Sequence, residues 1–218
     1  VHGYFDDAQS GVKQIFGDVT FNGLLAEAGV KLSSANSINW GRLVPQIVYY
    51  FSAYADLVKA GKIEAGQAIN FTVPTGNFGN ILAGVYAKCM GLPVNKLICA
   101  SNANNVLTDF LRTGVYDRNR DFHKTITPSM DILISSNLER LLYHMTSDAG
   151  RVAGWMKDLQ TAGHYDVGAE LLAKIQQVFW ADWTTDADTE NLIGRVYREK
   201  HYVPDTHTAV AWRVADHY

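Results

Sequence analysis

The residues best suited to chemistry lie in a glycine-rich turn with the sequence TGNFGN. Gly76 and Gly79 let the backbone approach an anion closely and leave its N–H groups free to donate. Thr75, Asn77 and Asn80 add side-chain donors. The turn therefore predicts a site for a phosphate monoester, and the alternative is a glycine turn that only lets a strand pack against a helix. It is neither a P-loop nor a G-x-G-x-x-G fingerprint.

A second candidate anion site lies in the segment NSINWGR, where one loop enters a helix. Asn36, Ser37 and Asn39 are neutral donors, and Arg42 has the planar side chain that best matches a phosphate or carboxylate. The alternative is that Asn and Ser cap the helix while Arg42 forms a surface ion pair worth under about 1 kcal/mol. The residues alone leave both interpretations open.

Other kinds of site find little support in the sequence. The seven histidines form no H-E-x-x-H motif and no paired spacing with Cys89 or Cys99, which argues against a metal site. A G-x-S-x-G nucleophile turn does not occur. The aromatic residues of VFWADW and YYFSAY are interleaved with apolar ones, a pattern typical of a core rather than of a stacking surface.

The glycine turn lies inside a strand, loop and helix unit. AINFTVP is predicted as a strand and ILAGVYAKCMGLP as a helix that ends at a glycine and a proline. KLICAS, NANN and VLTDFLRTG repeat this order. Two such units in succession predict an α/β fold with an open, mainly parallel sheet flanked by helices, and ligands of such sheets gather at the carboxyl ends of the strands.

The remaining pattern predicts further elements around that centre. Helices are expected at about 6–16 and 20–28, a strand running into a polar loop over VKLSSANSIN, and a long helix after residue 40 with Pro45 near its first turn. Beyond a charged loop at 118–124, the segment TPSMDILISSNLERLLYHM turns from loop to helix and helices follow to about 175. VFWADW reads as a strand, and helices begin at DADTENL and THTAVAW.

The composition excludes several classes of function. Hydrophobic residues make up 47% and charged residues 19%, which is a globular balance rather than that of a disordered chain. A net charge of -3 with a pI near 6.2 gives no basic surface for nucleic acid. No secretory signal and no apolar run of about 18 residues is present, so no membrane association is expected. The two cysteines lie in apolar surroundings, which favours a reducing cytoplasm.

Several long motifs, in this order, resemble the threonine synthases, particularly their longer fungal and bacterial branch. They are GYFDDAQ, SANSINWGRLVPQIVYYFSAY, VPTGNFGNILAGVYAKCMGLP, KLICASNANNVLTDFLRTGVYD, PSMDILISSNLERLL and THTAVAWRVADHY. The resemblance implies the pyridoxal-phosphate (PLP) fold type II, shared with the tryptophan synthase β chain. It also implies conversion of O-phospho-L-homoserine and water into L-threonine and phosphate, with PLP as electron sink.

The resemblance also implies roles for individual residues. The family's cofactor-phosphate loop matches Gly76, Asn77, Phe78, Gly79 and Asn80. The substrate phosphate would be held by Asn36, Ser37 and Arg42. Thr208 would place its hydroxyl against the pyridine nitrogen, although Thr206 stands where the family usually has proline.

The family's cofactor-binding lysine, in an F-K-D context, and its Ser-Gly-x-Thr-Gly loop have no counterpart here. The resemblance therefore implies an internal fragment that is inactive in isolation. Residues 1–35 are expected to be a remnant of the smaller domain and residues 36–218 the large PLP-binding domain, truncated at its end. The parent is expected to be a monomer or homodimer acting on a small molecule. The alternatives are a noncatalytic binder of phosphorylated metabolites and another fold type II PLP lyase.

Overall fold

A computed structural model describes residues 5–35 and 38–218 of the chain. Its eleven described α-helices are α1 (Phe5–Gly17), α2 (Val19–Glu27), α3 (Trp40–Leu43), α4 (Ile47–Lys59), α5 (Gly79–Cys89), α6 (Val106–Thr113), α7 (Leu138–Thr146), α8 (Ala149–Thr161), α9 (Ala169–Val178), α10 (Asp186–Lys200) and α11 (Thr206–Ala215). The described strands are β1 (Ile69–Pro74), β2 (Val94–Ser101), β3 (Val115–Asp117), β4 (His164–Asp166) and β5 (Phe179–Trp183). The elements confirm the predicted α/β class.

The central sheet is parallel, in the order β1, β2, β5. β1 and β2 are the two strands predicted from AINFTVP and KLICAS, and β5 is the strand predicted from VFWADW. The register pairs Val73 with Cys99 and Cys99 with Ala181. Helices cover the sheet because strands buried on both faces need an apolar layer on each side. All three strands end at the same edge, beside the glycine turn.

The main core lies between the sheet and α5, where seven of the eleven helix residues are buried. Gly84 lets α5 and α4 approach closely, because a Cβ at this position would lie 2.8 Å from the ring of Tyr50. A second apolar cluster packs Val210 and Val214 of α11 against Ile98 and Met130. Among the side chains that the structure describes, the buried apolar residues begin at Leu43, so the described side chains of α1 and α2 contribute none.

The prediction of a strand within VKLSSANSIN is wrong, because the described residues of that segment form no strand. Asn39 explains the difference: its side-chain amide donates to the Ser34 carbonyl at 2.6 Å and its Oδ1 accepts from the N–H of Gly41 at 2.8 Å. The segment is thus held by a capping side chain at the start of α3 instead of by a neighbouring strand.

Two further departures have local causes. Pro45 lies in a short 3-10 turn at residues 44–46 that divides the predicted long helix into α3 and α4, since proline lacks the N–H that a continuous helix requires. The antiparallel pair of β3 and β4 was not predicted, because three residues are too few for an alternating pattern. Tyr116 and Tyr165 stack across this pair with ring centroids 5.4 Å apart.

The described part of the chain contains no helix that is both long enough and apolar enough to cross a membrane. In the same residues, no group of three or more His, Cys, Asp or Glu side chains could hold a metal ion.

The two cysteines should differ sharply in reactivity. Cys99 is fully buried in β2, and burial raises the pKa of its thiol to about 12, whereas Cys89 is exposed at the end of α5. Because the thiolate is the reactive species, iodoacetamide should label Cys89 and leave Cys99 unmodified in the folded chain. Peptide mass spectrometry of the labelled chain measures this, and unfolding in urea should expose both thiols. Labelling of Cys99 under native conditions would contradict the prediction.

Candidate functional site

The glycine turn joins the carboxyl end of β1 to the amino end of α5. Phe78 is the residue that reverses the chain there: its φ of 57° is left-handed, and its ring is buried 5.7 Å from that of Phe179. A left-handed backbone is unfavourable for a bulky residue and persists only where the surrounding packing enforces it. The packing of one aromatic ring therefore fixes the conformation of the loop that precedes α5.

The backbone N–H groups of residues 76–81 donate no hydrogen bond to any residue that the structure describes. On one side, the N–H of Thr75 still pairs with the Ala100 carbonyl at 2.9 Å. On the other, the first helical bond runs from the N–H of Leu82 to the Phe78 carbonyl at 3.0 Å. Helix starts leave such donors unpaired, and the positive end of the helix dipole lies at the same place. These six N–H groups, called here the anion cradle, are the donor set that an anion requires.

The anion cradle opens into a cavity of about 180 Å³. Its lining residues come from the start of α3, the adjoining 3-10 turn, the end of β1 and the loop itself: Arg42, Gln46, Pro74, Thr75, Gly76, Asn77, Phe78, Gly79, Asn80 and Ile81. Arg42 is the cation in this set, and its guanidinium also donates to the Ala35 carbonyl. Because a guanidinium and a row of N–H groups share one cavity, the site favours a negatively charged ligand.

The side chain of Asn80 is already committed to the protein. Its Oδ1 accepts from the Tyr50 hydroxyl at 2.7 Å, and its amide donates to the Gln46 side chain at 3.1 Å. Burial raises the pKa of the Tyr50 phenol, so that hydroxyl remains a donor. Thr75 does not serve as the ligand donor that the sequence suggested, since its hydroxyl donates to the Val73 carbonyl at 2.7 Å.

Asn77 keeps one donor available. Its Oδ1 accepts from the Ser136 hydroxyl at 3.0 Å, while its side-chain N–H groups donate to no described residue.

Gly76 is required for packing: a Cβ there would lie 2.7 Å from the Ser129 carbonyl oxygen and 3.2 Å from the Met130 Cα. Gly76 therefore has the packing role that was the alternative interpretation of the glycine turn. The same turn also carries the unpaired N–H groups of the anion cradle.

The structure separates the other predicted residues from this cavity or leaves them undescribed. Thr208 lies in the first turn of α11 and is not among the described residues that line the cavity. Its hydroxyl donates to Asp205, which caps the helix, and this bond holds the pKa of the Asp205 carboxyl below its usual range. Thr206 is the first residue of the same helix. Asn36 and Ser37 lie outside the described residues.

Sequence reasoning did not assign Asp131 and Asn137, and the structure gives both a place. Asp131 is a buried carboxylate, 6% exposed, that accepts hydrogen bonds from Asn102, Asn104 and Thr125. Asn137 donates to the carbonyl of Asn77 at 2.9 Å and so contacts the glycine turn directly. For Asn137, the signal in the sequence was a run of small polar residues between the apolar ILI and the helix that follows.

Comparison with known proteins places the chain among named relatives. It is 51% identical over 215 residues to human threonine synthase-like 1, covering 97% of this chain and 29% of that protein. It is 38% identical over 224 residues to threonine synthase from Saccharomyces cerevisiae, covering 96% of this chain and 42% of the relative. The chain thus spans less than half the length of these curated relatives. It matches no family model.

A solved structure agrees with these relatives. The structure of a PLP-bound threonine synthase from Brucella melitensis superposes with a TM-score of 0.86 at 42% identity, over 99% of this chain and 44% of that one. This likeness confirms the predicted fold, including its relationship to PLP enzymes.

Proposed function

The chain is a threonine synthase-like sequence that matches one part of the longer threonine synthases, and on this premise we propose that it forms the phosphate-binding half of a PLP-dependent active site. The observation that carries the proposal is the row of six unpaired N–H groups over residues 76–81, in a segment that lines one cavity together with Arg42. The parent reaction is proposed to be the conversion of O-phospho-L-homoserine and water into L-threonine and phosphate.

The anion cradle suits the phosphate of PLP. The N–H groups and the dipole of α5 stabilise a phosphate dianion, and Asn77 supplies a side-chain donor beside them. The cofactor supplies an electron sink when bound. Asn80, fixed by Tyr50 and Gln46, forms the rigid wall on the side toward α4.

Arg42, together with Asn36 and Ser37, is proposed to hold the substrate phosphate, which is also the leaving group. A preorganised donor at a developing negative charge is worth roughly 3–4 kcal/mol in comparable sites. Arg42 is exposed, so its loss should harm turnover more than folding. Thr208 is proposed to face the pyridine nitrogen, which requires its hydroxyl to turn away from Asp205 when the cofactor binds.

We propose that the amine that binds the cofactor covalently is not among the residues of this chain. Among the described residues, no lysine lines the cavity, and the side chains of Lys88, Lys96 and Lys174 are bonded to carbonyl or carboxylate oxygens elsewhere. We therefore propose that the isolated chain binds phosphate and PLP but forms no threonine. We further propose a domain boundary near residue 35, a monomer or homodimer as the parent, and a cytoplasmic location.

Ligand titrations of the 218-residue chain test the proposal. PLP should bind at least about tenfold more tightly than pyridoxal, which carries the same aldehyde and lacks only the phosphate. Since surface lysines react with both aldehydes, the difference isolates the phosphate contribution. Arg42→Gln should weaken the binding of inorganic phosphate by about tenfold, whereas Arg198→Gln on the exposed face of α10 should leave it unchanged. Equal affinities for PLP and pyridoxal, or threonine formation by the isolated chain, would contradict the proposal.

A noncatalytic binder of phosphorylated metabolites is the second candidate. One observation favours it: the cavity has no lysine among its described lining residues. Assaying the full-length parent for phosphate release from O-phospho-L-homoserine distinguishes the two. Binding of this substrate without release of phosphate supports the binder.

A further inference from the structure

The glycine turn accepts hydrogen bonds from three consecutive residues that precede α7: Ser135, Ser136 and Asn137. These residues lie 59 or 60 positions away from their partners in the sequence. The Ser135 hydroxyl donates to the Gly76 carbonyl at 2.6 Å, and the Asn137 amide donates to the Asn77 carbonyl at 2.9 Å. The Ser136 hydroxyl donates to the Asn77 side chain at 3.0 Å. Residues 135–137 are called the brace below.

The two backbone bonds determine where two N–H groups of the anion cradle point. A trans peptide unit is planar, so the C=O of one residue and the N–H of the next point in opposite directions. Because the brace draws the Gly76 carbonyl toward Ser135, the N–H of Asn77 is directed away from the brace. In the same way, the bond from Asn137 to the Asn77 carbonyl directs the N–H of Phe78 away from the brace.

The brace is itself rigid and buried. Ser135, Ser136 and Asn137 are 5%, 9% and 1% exposed. The N–H of Ser135 donates to the Tyr116 hydroxyl at 2.8 Å, and that hydroxyl donates to the Leu133 carbonyl at 3.1 Å. The brace is therefore anchored to β3, an element that has no part in the cavity lining.

Two features of Asn137 are unfavourable for the stability of the fold. Its φ of 73° is left-handed, and its buried Oδ1 has no hydrogen-bond partner in the described structure. A left-handed backbone and an unpaired buried acceptor are each destabilising. The favourable interaction of this side chain is the hydrogen bond that its amide donates to the Asn77 carbonyl in the glycine turn.

We infer that Ser135 and Asn137 are positioning residues for the anion cradle: they touch no ligand and aim the N–H groups of Asn77 and Phe78 at it. The inference rests on the proposed function, since it assigns a purpose to the orientation of donors at that same site. Small errors in donor position weaken an anion site strongly, and supporting residues of comparable sites contribute roughly tenfold or more to affinity.

The test compares the affinity of the 218-residue chain for inorganic phosphate in wild type and in three variants. Asn137→Gly removes the donor while accepting a φ of 73° without strain, and Ser135→Ala removes one hydroxyl with little change of volume. Trp155→Phe is the control, because it deletes one bond to a backbone carbonyl, from Trp155 Nε1 to Asp166 at 3.1 Å, outside the cavity lining.

Asn137→Gly and Ser135→Ala should each weaken phosphate binding by about tenfold. Trp155→Phe should lower thermal stability and leave phosphate affinity unchanged. In amide NMR spectra, the phosphate-induced shifts of Asn77 and Phe78 should shrink in the two brace variants alone. Wild-type affinity in the brace variants, or an equal loss in Trp155→Phe, overturns the inference while the proposed function stands. A wild-type chain that binds neither phosphate nor PLP overturns both.

Discussion

Replacing Gly76 by alanine should reduce phosphate affinity by roughly a hundredfold and lower the free energy of unfolding by about 2 kcal/mol. The added Cβ would lie 2.7 Å from the Ser129 carbonyl oxygen and 3.2 Å from the Met130 Cα, both of which are backbone atoms. A backbone contact cannot be relieved by rotating a side chain. The glycine turn must therefore move, and with it the N–H groups of the anion cradle. Phosphate titration and urea denaturation measure the two effects.

Gly154→Ala is the matched control for this substitution. Gly154 lies on α8, and a Cβ there would have no atom within 4 Å. Alanine has the higher helix propensity, so this variant should be as stable as wild type or more stable by up to about 1 kcal/mol, with unchanged phosphate affinity. A Gly76→Ala chain that binds phosphate as tightly as Gly154→Ala would show that the turn does not need its close approach to residues 129–130.

The sheet and its helices could be predicted because their signals are local. AINFTVP and KLICAS are short apolar runs bounded by turn residues, and each precedes a helical pattern closed by glycine. The error at VKLSSANSIN arose where a single side chain outweighed propensity. Asn39 binds two backbone groups and holds the chain as a helix entry, and no pattern of hydrophobicity records such a bond.

The candidate site was predictable only in part. Gly76, Asn77 and Asn80 stand out because glycine and asparagine after a strand favour exposed N–H groups at a helix start. The sequence did not indicate that Asn80 would be held by Tyr50 and Gln46, because those partners come from another helix layer and share no spacing with it. The brace could not be predicted from the sequence for the same reason, since its hydrogen bonds join residues far apart along the chain.

The placement of Arg42 has a further consequence for the proposed reaction. From the sequence, the glycine turn and NSINWGR predicted two separate anion sites in one pocket. The structure places Arg42 on the wall of the cavity that the anion cradle itself lines. Two phosphates bound close together would repel each other, and a guanidinium that lines the same cavity would reduce that repulsion. One residue would then support the binding of both cofactor and substrate.

Asp131→Asn should lower the free energy of unfolding by about 3 kcal/mol, the largest stability loss expected here for an isosteric change. The Asp131 Oδ1 accepts from the Asn102 amide at 2.8 Å, the Asn104 amide at 3.0 Å and the Thr125 hydroxyl at 2.7 Å, while Oδ2 accepts from the Thr125 N–H at 3.0 Å. An amide nitrogen in place of either oxygen would face at least one buried donor, and the side chain is only 6% exposed, so solvent has little access with which to compensate.

The same substitution should also weaken phosphate binding, because Asp131 follows directly after the backbone of Ser129 and Met130 that contacts Gly76. Asp121→Asn, on an exposed side chain of the preceding loop, is the control and should change stability by less than about 0.5 kcal/mol. Urea denaturation and phosphate titration of both variants provide the measurement. If Asp131→Asn loses stability but keeps full phosphate affinity, the polar cluster stabilises the fold without supporting the anion cradle. If the variant keeps both its stability and its phosphate affinity, the four hydrogen bonds of the Asp131 carboxylate stabilise neither the fold nor the anion cradle.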